Sequence, residues 1–177
     1  MSAQRFKKVA VKNLWWIAAL ALLVDATNAR ALCVYHGVLY AHTTLEQEFR
    51  DAGVVIVGTV RSGKDIFVSD AEADRKPGVG PGILDRVAVE QALKGRIPPV
   101  INYFSELDSG GYYPDAGTKY LLFLNRIRSN DWAQKFAPGG FRVNYNCGQS
   151  RPWAKVSDAD RRELLKLSLS THQSRFR

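Results

Sequence analysis

Residues Gly58 to Asp65, GTVRSGKD, satisfy the spacing G-x-x-x-x-G-K. In that pattern glycines let backbone N–H groups approach phosphates and the lysine reaches the outer ones. A working phosphate loop continues with Ser or Thr, whose hydroxyl holds Mg²⁺, whereas here Asp65 sets a negative charge against the phosphates. Such a loop also runs from a strand straight into a helix, whose N-terminus supplies the remaining donors. This chain continues instead through the strand-like Ile66-Phe67-Val68 into the Pro/Gly stretch Asp74 to Gly82. The match is therefore read as chance: Gly58 bends a strand, Ser62-Gly63 makes a turn, and Lys64 is a surface charge.

The other reactive side chains do not assemble either. The three histidines are His36, His42 and His172. His36 and His42 lie six apart with Cys33 nearby, but no second cysteine or carboxylate stands at a usual ligand spacing. Ser62, Ser105 and Ser150 lack an elbow motif and a neighbouring base, and Glu106 with Asp108 is too generic to be a catalytic pair. No catalytic residue, metal or cofactor is assigned, and the chain is read as a non-enzyme. The aromatic loop with Tyr112 and Tyr113 offers contact chemistry instead, since exposed aromatics anchor partners.

The N-terminus explains where such contacts would be made. Arg5, Lys7, Lys8 and Lys12 precede eleven uninterrupted apolar residues, Leu14 to Val24, and small residues follow at Ala29 and Ala31. This is the order of a secretory signal peptide, residues 1–31, with Leu32 as the first mature residue. The apolar run falls short of the roughly 20 residues that span a bilayer, so no integral span remains after cleavage. The expected location is secreted or periplasmic. Residues 32–177 hold 20 Lys/Arg against 16 Asp/Glu, a net charge of +4 set in scattered pairs rather than a stripe. That pattern does not predict a nucleic-acid partner.

Both cysteines, Cys33 and Cys147, lie in the exported part, and an even pair in an oxidising compartment predicts a disulfide rather than two free thiols. It would close a loop of 114 residues, contributing roughly 4–5 kcal/mol in the chain-entropy model.

The elements that must position these residues are mainly strands. Thr43 with Glu46, or Thr44 with Gln47, caps a short helix whose apolar face is Leu45, Phe49 and Ala52, with Gly53 as a left-handed stop. Val54 to Val60 is β-branched and reads as a strand buried on both faces, bent at Gly58. Ile83 to Gly95, Val100 to Glu106, Lys119 to Ile127 and Phe141 to Cys147 supply four more strands. The chain from Ser62 to Gly82 is polar and its end, Asp74 to Gly82, is expected to hold no ladder, while Ile66 to Val68 extends the sheet at an edge. A last helix starts at the pair Ser157 and Asp160 and buries Leu164, Leu165 and Leu169. Five strands with a short N-terminal helix, a C-terminal helix and long loops predict an antiparallel, OB-like barrel.

The order of local patterns is more telling than their number. The segments FRDAGVVIVGTV, RVAVEQALKG, TKYLLFL and NCGQSRPW follow a cysteine at the mature N-terminus. The matching residues are Val54 to Val60, Val89 with Leu93, Lys94 and Gly95, Gly117 with Tyr120 to Phe123, and Cys147. This set resembles the bacterial TIMP-like members of the netrin-module group, the OB-fold superfamily that includes the tissue inhibitors of metalloproteinases. It covers about Cys33 to Trp153. The resemblance implies an extracytoplasmic protein partner, with a metalloprotease as one class. In the animal inhibitors a free N-terminal cysteine chelates the protease zinc through its amine and carbonyl. Here Leu32 precedes Cys33, Val34-Tyr35 follows it where a C-x-C start would place its second cysteine, and only two cysteines are present.

The sequence thus predicts an exported, non-catalytic interaction or inhibitor-like module, with Cys33, Val34, Tyr35, Tyr112 and Tyr113 as candidate contacts. A barrel that binds polysaccharide or a small ligand of the cell envelope is the alternative.

Overall fold

The computed structural model describes residues 33–66, 82–107 and 111–173. Residues 1–32, which include the expected signal peptide, and residues 67–81, 108–110 and 174–177, which include Phe67, Val68, Asp108 and the expected Pro/Gly stretch from Asp74, lie outside these residues.

Two short strands, β1 (Val34–Tyr35) and β2 (Val38–Leu39), form a hairpin of their own. Helix α1 (Leu45–Asp51) follows, with Thr44 as its N-cap: the Thr44 hydroxyl accepts from Gln47 N at 3.1 Å. Phe49 and Ala52 are buried and Leu45 half-buried, as the periodicity predicts. The exit differs, because Ala52 leaves in an extended conformation (φ −67°) and Gly53 N donates to Asn125 Oδ1 at 2.8 Å. A side-chain partner on a distant strand replaces the left-handed stop.

Five strands then close a barrel: β3 (Val54–Ile66), β4 (Gly82–Lys94), β5 (Val100–Glu106), β6 (Lys119–Arg126) and β7 (Phe141–Val143), in the spatial order β3-β4-β5-β7-β6 with β6 returning to β3. The OB-like barrel is mixed, not purely antiparallel. A closed ring of antiparallel neighbours must alternate direction, and an odd number of strands cannot alternate all the way round. The frustrated step falls between β5 and β7, which run parallel and pair at Tyr103 and Phe141.

β3 and β6 are buried on both faces. Val54, Ile56, Val60, Tyr120, Leu122 and Leu124 point into the barrel, where they meet Val87, Ile101, Tyr103, Phe141 and Val143. Val55, Val57, Leu121 and Phe123 point outward, against Phe49 of α1 and Leu164 of the C-terminal helix. Each such fully buried apolar side chain contributes about 1.5–3 kcal/mol, which is why these segments read as continuous apolar runs.

β3 is longer than its apolar part. Ser62 to Ile66 pair in register with Arg86 to Gly82, so Ser62-Gly63 is strand and not turn. Polar exposed side chains do not prevent a ladder, which is made by backbone groups. Gly58 lies at a register shift, and a Cβ there would stand 2.7 Å from the Ala88 carbonyl oxygen. Its role is close approach at the bend. The whole of Gly58 to Asp65 is strand.

β7 stops four residues short of the predicted end. Beyond it the chain turns away so that Cys147 can reach Cys33, and β8 (Arg151–Pro152) returns to pair with Tyr120 and Leu121 on the same edge of β6. A short 3₁₀ turn (Trp132–Lys135) between β6 and β7 packs on Phe104 of β5, and another (Trp153–Lys155) leads to helix α2 (Asp158–Gln173). Ser157 and Asp160 cap α2 reciprocally: Ser157 Oγ accepts from Asp160 N at 3.1 Å, and Asp160 Oδ2 accepts from Ser157 N at 3.4 Å. Leu164 is buried as predicted, but Leu165 and Leu169 are not; they are 50% and 65% exposed, and Leu167 takes the inner face.

Candidate interaction surface

Cys33 and Cys147 are disulfide-bonded, with their Cα atoms 6.0 Å apart. Cys33 is buried beside Tyr35 and Tyr145. The Tyr35 ring meets the Tyr145 ring at a centroid distance of 4.9 Å, and its hydroxyl donates to Asp51 Oδ2 at 2.5 Å. Burial first, and the Asp51 carboxylate second, push the Tyr35 hydroxyl up to about 12, while that hydrogen bond holds Asp51 below the usual carboxylate range. Tyr145 OH donates to Ala41 O at 3.1 Å. The segment ending at Cys147 and the hairpin are thus joined by a covalent bond and a ring contact, while the Tyr35 hydroxyl ties the hairpin to α1 and the Tyr145 hydroxyl reaches Ala41.

Glu48 completes this corner, and the sequence reading missed it. It is 0% exposed, and its Oε1 accepts from the Thr43 hydroxyl and from Gln149 N, the latter at 2.8 Å. A Cβ on Gly148 would overlap that carboxylate. Burial raises the Glu48 carboxyl above the usual range. The available signal was positional: Glu48 falls three residues after Leu45 and four before Ala52, on the face already read as apolar.

With Cys33 and Tyr35 turned inward, the predicted contacts at the N-terminus separate. Val34 faces out, together with Val38, Leu39 and Tyr40, which the sequence reading did not single out. Val34, Val38 and Leu39 are each more than half exposed. These four are close to half of the large apolar side chains exposed among the described residues, and they fall within seven positions. From Cys33 to Leu45 the sequence carries no Asp, Glu, Lys or Arg. The hairpin is shaped by backbone at positive φ at His36 (48°), Gly37 (81°) and Tyr40 (51°), and closed by Tyr40 N donating to Cys33 O at 2.8 Å. The result is a two-sided apolar ridge, with Val34 and Leu39, cross-strand partners, on one face and Val38, the partner of Tyr35, on the other.

The second predicted contact, the Tyr112-Tyr113 loop, is built for closure. Tyr112 is half-buried, its ring edge-on to Tyr120 at 6.3 Å, and its carbonyl accepts from Tyr103 OH at 2.8 Å and from Ser105 Oγ at 2.5 Å. Burial raises the hydroxyls of Tyr103 and Tyr112. Tyr113 is exposed, but its hydroxyl donates to Glu106 O at 2.6 Å. This loop shuts the barrel end.

Beside it lies a cleft of about 90 Å³, lined by Ser105, Glu106, Tyr112, Arg142 and Asn146 among others. Arg142 is neutralised from both sides, by Glu106 at 3.3 Å and Asp131 at 3.1 Å. Small-molecule sites start at about 300 Å³, so the cleft is well below the size that would enclose a drug-sized ligand. His36 Nε2 stands 3.3 Å from Asp51 Oδ2, and among the described residues no group of three metal-ligating side chains comes together. Ser105 and Ser150 are spent on backbone, the latter accepting from Phe123 N at 3.0 Å. Asp85 is a buried carboxyl on β4 beside the empty side of Gly63, and burial pushes it up to about 6.

The residues that carry the family resemblance prove architectural. Lys94 donates to the carbonyls of Phe49, Arg50 and Ala52 at 2.7, 2.8 and 2.6 Å, satisfying the end of α1. Leu93 is buried against the same helix, and Tyr120 OH accepts from Asp115 N at 3.0 Å to brace the turn before β6. Compared with models of protein families and with the curated proteins, the sequence matches none. Among the described residues no helix is long and apolar enough to cross a membrane.

Proposed function

We propose that this chain is an exported, non-catalytic binding module that engages an extracytoplasmic protein through the ridge Val34, Val38, Leu39 and Tyr40. The observation that carries the reading is that ridge: four exposed apolar side chains on a hairpin fixed by the Cys33–Cys147 bridge. Exposed apolar clusters are costly on a free monomer and mark contact sites. A rigid mount lowers the entropy lost on docking.

The order of motifs supports a TIMP-like, netrin-module relationship, in which the N-terminal cysteine segment is the contact element. The zinc-chelating wedge is not part of the proposal. It needs the Cys33 carbonyl, which here accepts from Tyr40 N, and a free Cys33 amine, which Leu32 would cap after the expected cleavage.

The test is a photo-crosslinker placed at Leu39, applied to the released protein with its N-terminus sequenced. One protein should be captured, and the purified pair should bind with affinity at least about tenfold weaker for Val38→Ser/Leu39→Ser. Retention on glycan resin that ignores these substitutions would favour the polysaccharide reading instead.

A further inference from the structure

Among the described residues two carboxyl side chains are buried, and the fold treats them differently. Glu48 accepts from Thr43 and Gln149. Asp85, on β4, is 5% exposed, and among the described residues no hydrogen bond or ion pair holds it. A carboxylate taken out of water without a partner is costly, so such a place favours the neutral acid.

Asp85 pairs with Gly63 on β3 and with Tyr103 on β5. A Cβ on Gly63 would stand 2.6 Å from Asp85 Oδ1, so the carboxyl lies across the bare backbone of β3. The titratable neighbours on this face bring no positive charge. Asp65, two residues beyond Gly63, is exposed, and burial keeps the hydroxyls of Tyr103 and, beyond it, Tyr112 protonated. Arg86 alternates to the other face of β4 and is exposed.

The strand beneath the carboxyl is held from one side. Its bonds toward β6 end at Val60, which donates to Thr118 O and accepts from Gly117 N. Residues 62–66 then pair with β4 alone among the described residues. Ile66 fastens the end of this arm, buried with Phe104, Ile127, Ala133 and Ala137.

We infer that Asp85 makes residues 62–66 of β3 a pH-sensitive latch, closed while the carboxyl is protonated and released when it ionises beneath the arm. Opening lets water reach the charge, lifts Ile66 from its cluster and uncovers Phe104. Burial pushes the Asp85 carboxyl from 3.8 up to about 6. The advantage of the closed arm is therefore whole below pH 3.8 and is lost as pH rises through 6. A difference of that size corresponds to about a hundredfold change in the opening constant. The inference does not depend on the hairpin ridge or on what the ridge binds.

The experiment is amide hydrogen exchange of the released protein by NMR between pH 4 and pH 8, each rate being divided by the intrinsic rate at that pH. Protection of residues 62–66 should fall about a hundredfold across the range, while that of residues 55–57, paired on both sides, should hold. Asp85→Asn keeps the shape without the charge and should make the profile flat. Asp65→Asn should leave it falling. Titration of the Asp85 carboxyl carbon in the unaltered protein gives a second reading, with a midpoint near 6 expected. A midpoint at the ordinary carboxyl value, protection indifferent to pH, an equal fall in every strand, or a fall that survives Asp85→Asn or vanishes in Asp65→Asn would each overturn the inference.

Discussion

The hairpin at Tyr35 and the loop at Tyr112-Tyr113 are the two aromatic segments that the sequence offers as contact surfaces, and the fold uses them oppositely. In the loop, backbone and hydroxyl groups are consumed by Tyr103, Ser105 and Glu106, and Tyr112 leans on the barrel core. In the hairpin the tyrosine turns inward to Asp51 and Tyr145, and aliphatic neighbours are left outside. A tyrosine has an apolar body and a polar tip, so it is held wherever both can be satisfied. Valine and leucine have no tip to satisfy, and their exposure is the better sign of a surface kept for a partner.

The difference can be broken first at the bridge. Replacing both cysteines by serine should cost about 4–5 kcal/mol in denaturant titrations, since the closed loop spans 114 residues. Hydrogen exchange of β1 and β2 should rise far more than that of the Tyr112 loop. If both segments loosen equally, the hairpin is not specially mounted.

Next comes the lid. Tyr112→Ala should cost about 3 kcal/mol by emptying a half-buried aromatic site, while leaving partner capture at Leu39 intact; loss of capture would make the loop a contact after all.

Tyr35→Phe removes the hydroxyl from Asp51 and should cost about 1–2 kcal/mol near neutral pH. The Tyr35 hydroxyl is raised in the fold from 10 to about 12. Its contribution is therefore fully present below pH 10 and is lost as pH rises toward 12. The wild-type protein should lose stability across that window more steeply than Tyr35→Phe. Parallel pH profiles would show that burial and the Asp51 carboxylate do not raise the Tyr35 hydroxyl.

The smallest effect separates surface from scaffold most sharply. Val38→Ser/Leu39→Ser should change stability by no more than about 0.5 kcal/mol, because the side chains are already in water. A large loss of Tm would mean the ridge packs on the protein itself.

What could be read ahead of the structure follows from which forces act locally. The runs Val54 to Val57 and Leu121 to Leu124 announced strands covered on both sides, and they lie between the barrel interior and the two helices. Both helix caps were legible because they are made by side chains three residues apart. Ring closure was not, since the parallel β5–β7 step follows from the number of strands in the circuit and not from any one segment. Glu48 and the outward pair Leu165 and Leu169 broke the apolar pattern in opposite senses, because a helix face is decided by what lies opposite it: Gly148 and Gln149 for the first, water for the others. Of the proposed ridge only Val34 was singled out beforehand. Val38, Leu39 and Tyr40 emerge only once the hairpin is seen to leave them in solvent while Tyr35 packs on Cys33 and Tyr145.

All five barrel strands lie between Cys33 and Cys147. The sulfur–sulfur link is thus a hoop around the whole barrel, with β8 and α2 outside it, and not a staple on one loop. A protease that nicks any connection inside the hoop, the long one between β3 and β4 included, leaves fragments that still travel as a single covalent particle and separate only when reductant is added. One clipped peptide bond inside the loop is therefore a survivable injury for the particle as a whole.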